Sequence, residues 1–128
     1  MGVFGIGTDI IEIDRFMKNG EPLSDHFMAR CFTAREREHL KTRRLENTAG
    51  FFAAKEAVAK ALGTGFTGFW PSAIEICHHK TGKPEVILHG DAAKIAEAAG
   101  IISIEISISH CKTLAVAMAV ATTIDQKG

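Results

Sequence analysis

Residues 102–121 constrain the fold more tightly than any other stretch of the chain. Ile102, Ile104, Ile106 and Ile108 alternate with Ser103, Glu105, Ser107 and Ser109, and after His110-Cys111-Lys112-Thr113 the pattern resumes from Leu114 to Ala121. Alternation of apolar and polar residues marks a strand with one buried face, and two such runs joined by a short polar break make a β-hairpin. In the second strand Leu114, Val116, Met118 and Val120 lie on one side, and the other side is all alanine. So small a face admits close packing, either by a helix of this chain or by another subunit.

The best helix candidate is Phe52-Ala53-Ala54-Lys55-Glu56-Ala57-Val58-Ala59-Lys60-Ala61-Leu62-Gly63. Ala, Leu, Lys and Glu are strong helix formers, Asn47 and Thr48 offer N-cap side chains, and Gly63 stands where a C′ glycine ends the last turn. The reading predicts a helix from about Thr48 to Leu62. Phe52, Glu56 and Lys60 share one face at i, i+4 and i+8, and Phe51, Val58 and Leu62 supply surface for burial. Taken alone, Glu56 and Lys60 are an ordinary i,i+4 ion pair worth about 0.2–0.5 kcal/mol.

Val3 to Ile13 is β-branched and reads as a strand. Gly5 and Gly7 weaken it, marking either a bulge or a close approach by another backbone or a ligand. Asp9, between Ile6 and Ile10-Ile11, is a carboxylate on an apolar strand and must be paired, hydrogen-bonded or metal-bound. Leu23 to Phe32 predicts a short helix capped by Ser24 or Asp25. Thr33-Ala34-Arg35-Glu36 is a capping-box pattern opening a helix from Ala34 to about Arg43. Gly63 to Gly68 is a loop, Ala73 to His79 and Glu85 to Leu88 form a hairpin around Thr81-Gly82-Lys83-Pro84, and Asp91 to Ala99 is a helix ending at Gly100. The expected architecture is α+β, one domain over 1–128, with antiparallel β-hairpins packed on a few helices.

An apolar fraction of 46% in 128 residues suffices for one core. No signal peptide or membrane-spanning run is evident, so a cytoplasmic protein without a membrane role is expected. Cys31, Cys77 and Cys111 have neither disulfide nor zinc spacing. Fifteen basic residues balance fifteen acidic ones, which argues against general nucleic-acid binding. The balance is uneven locally: Arg30, Arg35, Arg37, Lys41, Arg43 and Arg44 crowd one segment, either a solvated helix face or a patch for an acidic partner or phosphate.

Taken together, Gly5-Ile6-Gly7-Thr8-Asp9-Ile10 followed by Arg15, Phe52-Ala53-Ala54-Lys55-Glu56-Ala57 followed by Lys60 and Gly63-Thr64-Gly65, then Gly82-Lys83-Pro84 and Ser107-Ile108-Ser109-His110, resemble the 4′-phosphopantetheinyl transferases nearly end to end. The resemblance implies that family's fold. It also implies transfer of phosphopantetheine from coenzyme A to a serine of an apo acyl carrier protein, with release of adenosine 3′,5′-bisphosphate, in support of fatty acid biosynthesis. Attack on a pyrophosphate builds negative charge on oxygen, which a divalent metal and cationic side chains neutralise. By the resemblance Asp9 and Glu56 are the Mg2+ ligands, Lys60 and His110 catalytic residues in contact with phosphates, and Gly82, Lys83 and Pro84 part of the coenzyme A site. A metal-bound water, a carboxylate or His110 could activate the serine. Arg15 matches the arginine that meets the acidic helix of the carrier protein. The small members of the family are homotrimers with active sites between subunits. The family often has arginine where this chain has Phe51, and Arg43 and Arg44 are candidates to replace it.

Two other readings are a noncatalytic carrier or coenzyme A binding module and a metal-dependent phosphohydrolase. The first is disfavoured by the two carboxylates, which a mere binder of phosphates gains little from burying.

Overall fold

The structure, a computed structural model, describes residues 1–18 and 21–124. In chain order the elements are β1 (Gly2–Glu12), a 3-10 turn (Ile13–Phe16), β2 (Met17–Lys18), β3 (Glu21–Pro22), α1 (Asp25–Cys31), α2 (Ala34–Leu40) and α3 (Leu45–Leu62), followed by a second 3-10 turn (Pro71–Ala73), β4 (Ile74–His78), β5 (Pro84–Leu88), α4 (Gly90–Ala98), β6 (Ile101–His110) and β7 (Leu114–Thr123). All strand pairing among them is antiparallel, in a sheet ordered β1-β7-β6 and two hairpins, β2-β3 and β4-β5. The α+β expectation holds.

The alanine stripe of β7 is the floor on which α3 lies. Register places Gly5, Gly7, Asp9 and Ile11 of β1 opposite Ala121, Ala119, Ala117 and Ala115, which in turn face Ile104, Ile106, Ile108 and His110 of β6. Those alanines are buried, as are Ala53, Ala54, Ala57, Ala59 and Ala61 of α3. A helix of this chain therefore covers the stripe, which resolves the alternative left by the sequence. The glycines serve the same contact. A Cβ on Gly5 would stand 2.2 Å from the carbonyl oxygen of Ala61, and one on Gly7 would stand 1.9 Å from that of Ala57. β1 also slips register between Val3 and Gly5. Bulge and close approach are thus both present.

α3 begins a turn earlier than its capping residues predict. Arg44 is the N-cap and makes no side-chain capping bond. Thr48 is buried inside the helix, and Asn47 Nδ2 donates back to the Arg44 carbonyl at 3.4 Å. Leu45 packs against the core, and burying it extends the helix past the better caps. Gly63 ends it as expected, at φ 86°. α2 is correspondingly shorter than predicted: Arg43 N–H donates to the Leu40 carbonyl at 2.9 Å and turns the chain into α3. The basic segment is therefore divided between α2 and a turn.

The capping box forms, with Thr33 N–H donating to Glu36 Oε1 at 2.8 Å and Glu36 N–H to Thr33 Oγ1 at 3.1 Å. Glu36 does more than cap. Fully buried, it accepts from Lys55 Nζ at 2.7 Å and from Ile76 N–H at 2.7 Å, while Lys55 also donates to the carbonyls of Pro71 and Ile74. Desolvation pulls the Lys55 ammonium below its ordinary value, and Glu36 opposes that pull. The pair ties α2, α3 and β4 together beside the rings of Phe16, Phe32 and Phe52.

Because a Cβ at position 7 meets backbone and not a yielding side chain, Gly7→Ala is expected to destabilise the protein by about 3 kcal/mol or more, the upper end of overpacking costs. Denaturant unfolding of the variant against wild type measures this, and a loss below about 1 kcal/mol would mean that α3 can move off the sheet.

Candidate active site

The contact between α3 and β1 also assembles charge. Asp9 occupies the next inward position of β1 after Gly7, while Glu56 and Lys60 directly precede the two alanines that the glycines touch. Lys60 Nζ donates to the Thr8 carbonyl at 2.9 Å and lies 3.4 Å from Asp9 Oδ1. Glu56 forms no ion pair within 4 Å among the described residues, so the ordinary i,i+4 pair with Lys60 is absent. The Lys60 amine crosses to the strand instead.

Glu56 is half-buried, and its carboxyl is held above the ordinary glutamate range, first by desolvation and then by the negative charge of Asp9, with Lys60 and Arg15 pulling the other way. These four residues therefore share one electrostatic environment. Two hard oxygen donors whose charge Lys60 and Arg15 offset only in part fit a small divalent cation. No group of three or more His, Cys, Asp or Glu side chains able to hold a metal occurs among the described residues. Two carboxylates suit Mg2+, which retains waters and takes substrate oxygens, better than Zn2+, which wants a fuller protein shell.

The other predicted site residues stand apart. His110 ends β6, exposed, with β7 between it and β1, so it lies two strand spacings, roughly 10 Å, from Asp9's strand. Gly82, Lys83 and Pro84 lie at the turn from β4 into β5, where Lys83 Nζ pairs with Glu105 Oε1 of β6 at 2.9 Å. Gly82 opens onto a cleft of about 510 Å³ lined also by Arg43, Arg44, His39 and His78. Both arginines named for the missing one therefore meet the glycine turn here.

Phe51 itself is buried, its ring 5.7 Å from His39 and 5.7 Å from His78. The two imidazoles lie 5.4 Å apart. Partial desolvation holds His39 below its ordinary value, helped by Arg43 and His78. Sequence reasoning missed both histidines. They come from α2 and β4, and the only local signal was the aromatic residue at position 51.

Against known proteins, the sequence profile of the 4′-phosphopantetheinyl transferase superfamily matches residues 5–119. The chain belongs to that superfamily. It is 46% identical over 118 residues to the holo-[acyl-carrier-protein] synthase of Thermoanaerobacter sp. (strain X514), a match covering 91% of this chain and 85% of the relative. Among solved structures, holo-[acyl-carrier-protein] synthase from Neisseria meningitidis superposes with a TM-score of 0.85 at 33% identity, covering 94% of this chain and 99% of the other. The Helicobacter pylori enzyme in complex with coenzyme A gives 0.80 at 30% identity, covering 91% and 99%.

Since the folded state raises the proton affinity of Glu56, its ionisation opposes folding at neutral pH. Glu56→Gln is therefore expected to raise the melting temperature of the metal-free protein near pH 7. The gain should fade as pH falls below the ordinary glutamate range, where Glu56 is protonated whether folded or not. Melting curves from pH 3 to pH 8 measure this, and an unchanged or lower midpoint at pH 7 would show that Lys60 and Arg15 already neutralise the carboxylate.

Proposed function

We propose that this chain transfers the 4′-phosphopantetheine group of coenzyme A to a serine of apo acyl carrier protein, releasing adenosine 3′,5′-bisphosphate, as a Mg2+-dependent cytoplasmic enzyme of fatty acid biosynthesis. The observation that carries the reading is the convergence of Asp9, Glu56 and Lys60 where the glycines of β1 meet α3. Asp9 and Glu56 would hold the cation, which when bound supplies Lewis-acid neutralisation of the pyrophosphate oxygens. Lys60, half-exposed beside Asp9, is free at its outer side to donate to a phosphate oxygen as negative charge builds there. His110 or a carboxylate of this group would accept the serine proton. Arg15 presents an exposed guanidinium beside this group to an acidic carrier surface. Arg43, Arg44 and the Gly82-Lys83-Pro84 turn receive the nucleotide end of coenzyme A.

We further propose a homotrimer with active sites between subunits. Ile6, Ile10 and Met118 on the face of the β1-β7-β6 sheet opposite α3 are more than half exposed, an apolar surface suited to a neighbour. The separation of His110 from the strand of Asp9 by the width of β7 also favours a site completed across a boundary.

Holo-carrier and adenosine 3′,5′-bisphosphate are expected in equal amounts, and only with Mg2+, coenzyme A and apo-carrier all present. Bisphosphate released without carrier would identify a hydrolase, and coenzyme A binding with no product a binding module. Asp9→Asn and Glu56→Gln should each lower kcat by about 10²–10³-fold, with the double variant scarcely worse. In the same assays Arg15→Glu should raise KM for carrier and leave that for coenzyme A unchanged. Equal losses for both substrates would place Arg15 elsewhere.

Sedimentation should give one species of three times the chain mass. A fully active monomer would remove both the trimer and the shared site.

A further inference from the structure

The cleft between the α2–α3 turn and the β4–β5 turn has two fixed cations in its lining, Arg43 and Arg44. Arg44 is engaged by Glu46, Nε to Oε2 at 3.4 Å, and Arg43 has no carboxylate within 4 Å among the described residues. A phosphate monoester carries a charge of about −1.5 to −2 near pH 7, more than one free guanidinium offsets. The position where the resemblance leads one to expect a further arginine holds Phe51. His39 of α2 stacks on that ring at 5.7 Å, the two planes 8° apart, and His78 of β4 lies 5.7 Å from the same ring and 5.4 Å from His39. Phe51 is buried, His39 half-buried and His78 exposed, so the imidazoles are the outward side of the stack, and both line the cleft.

We propose that His39 and His78 are proton-operated cations of this cleft: a nucleotide phosphate draws a proton from solvent onto the pair, and an imidazolium N–H then donates to a phosphate oxygen. The inference rests on the placement of the nucleotide end of coenzyme A in this cleft. The groups that face His39 are cationic, titratable to a cation or neutral. Arg43 of the turn after α2 and His78 of β4 act on it electrostatically, Arg44 lines the same cleft, and α3 presents the Phe51 ring. No carboxylate pairs with either imidazole among the described residues; the histidine that has one is His89, with Glu75. His79, next in the chain, turns to Thr81, whose N–H donates to its Nδ1 at 3.3 Å. Desolvation first, and then Arg43 and His78, hold His39 below its ordinary value, so in the free protein it is neutral at pH 7. An anion beside it acts in the opposite sense and favours the protonated ring. Binding therefore takes up a proton, and affinity falls as pH rises from the lowered value of the free protein through the raised value of the complex. An arginine in place of the pair would give no such dependence.

Adenosine 3′,5′-bisphosphate is the probe, titrated calorimetrically at pH 6, 7 and 8 in two buffers of different ionisation heat. Wild type should take up protons on binding it at pH 7, and adenosine, which has no phosphate, should cause no uptake. The phosphates of the ligand ionise near about pH 6 and work in the opposite sense, so the decisive comparison is with His39→Phe, which keeps a ring on Phe51 and removes the proton. Wild type should bind about tenfold more tightly than His39→Phe at pH 6, the scale of one hydrogen bond to a charged group, and the difference should fade by pH 8. Adding His78→Asn to His39→Phe should remove what proton uptake is left. Bisphosphate binding by wild type at pH 7 without proton uptake would overturn the inference and leave the nucleotide site standing, and this arm needs no variant to fold. Equal affinities of wild type and the double variant at every pH would overturn it too, as would proton uptake with adenosine, which would assign the rings to the base. Unchanged bisphosphate binding by Arg43→Ala would instead move the nucleotide out of this cleft, and the inference would fall with that placement.

Discussion

The contact on which the rest of this structure depends is the one between two glycines of β1 and the backbone of α3. Side chains hold stacked sheets about 10 Å apart. Here Gly5 and Gly7 have none, the alanines of β7 continue the flat floor, and α3 meets it with alanines of its own. The geometry is commensurate. The four helical steps from Ala57 to Ala61 advance about 6 Å, and the two strand steps from Gly5 to Gly7 about 6.6 Å, so both glycines find a carbonyl in the same register. That registration brings Asp9 beside Glu56 and Lys60. The site is a consequence of packing as much as of its charged residues.

A second interaction sets how α3 is rolled on the sheet. Lys55 and Glu56 are consecutive and so point about 100° apart around the helix axis. Lys55 is drawn fully inside to Glu36 and two carbonyls, and Glu56 is thereby left at the half-buried edge where a cation or a proton can reach it. A buried ion pair is weak evidence of net stability, because desolvation offsets most of the attraction. Its consequence here is geometric: breaking it would strand a charge in the core, so the helix is held to one rotation. Burial pulls the Lys55 ammonium down and lifts the Glu56 carboxyl. One helix thus holds a charge for structure next to the charge proposed for chemistry.

Where the resemblance leads one to expect arginine, this chain places Phe51 under a stack with His39 and His78, in a cleft that Arg43 and Arg44 also line. The aromatic ring keeps the position filled by packing. Positive charge is supplied from the turn between α2 and α3, two residues of which the shortened α2 leaves free to face the cleft.

What the sequence determined by itself are the features set by neighbours a few residues apart. The Thr33–Glu36 capping box, the Ser24 cap of α1, the αL glycine after Leu62, the hairpins and the Ile–Ser alternation of β6 all depend on contacts within a turn or across a short loop, and all are present. The carboxylates and Lys60 were also legible, through motifs and their resemblance to a family. Tertiary structure alone decided where those side chains turn. Lys60 finds Asp9, 51 residues away, and not Glu56 on its own helix, because the close approach of β1 to α3 brings the Thr8 carbonyl and the Asp9 carboxylate within its reach. Leu45 extends α3 past two good capping residues because burial outweighs a cap. The alanine stripe goes to α3, and Trp70 meets Arg30 although 39 residues lie between them in the chain. Periodicity states that a face will be buried or a charge paired, but the partner is chosen by which distant surfaces close on one another with least empty space and least unpaired charge.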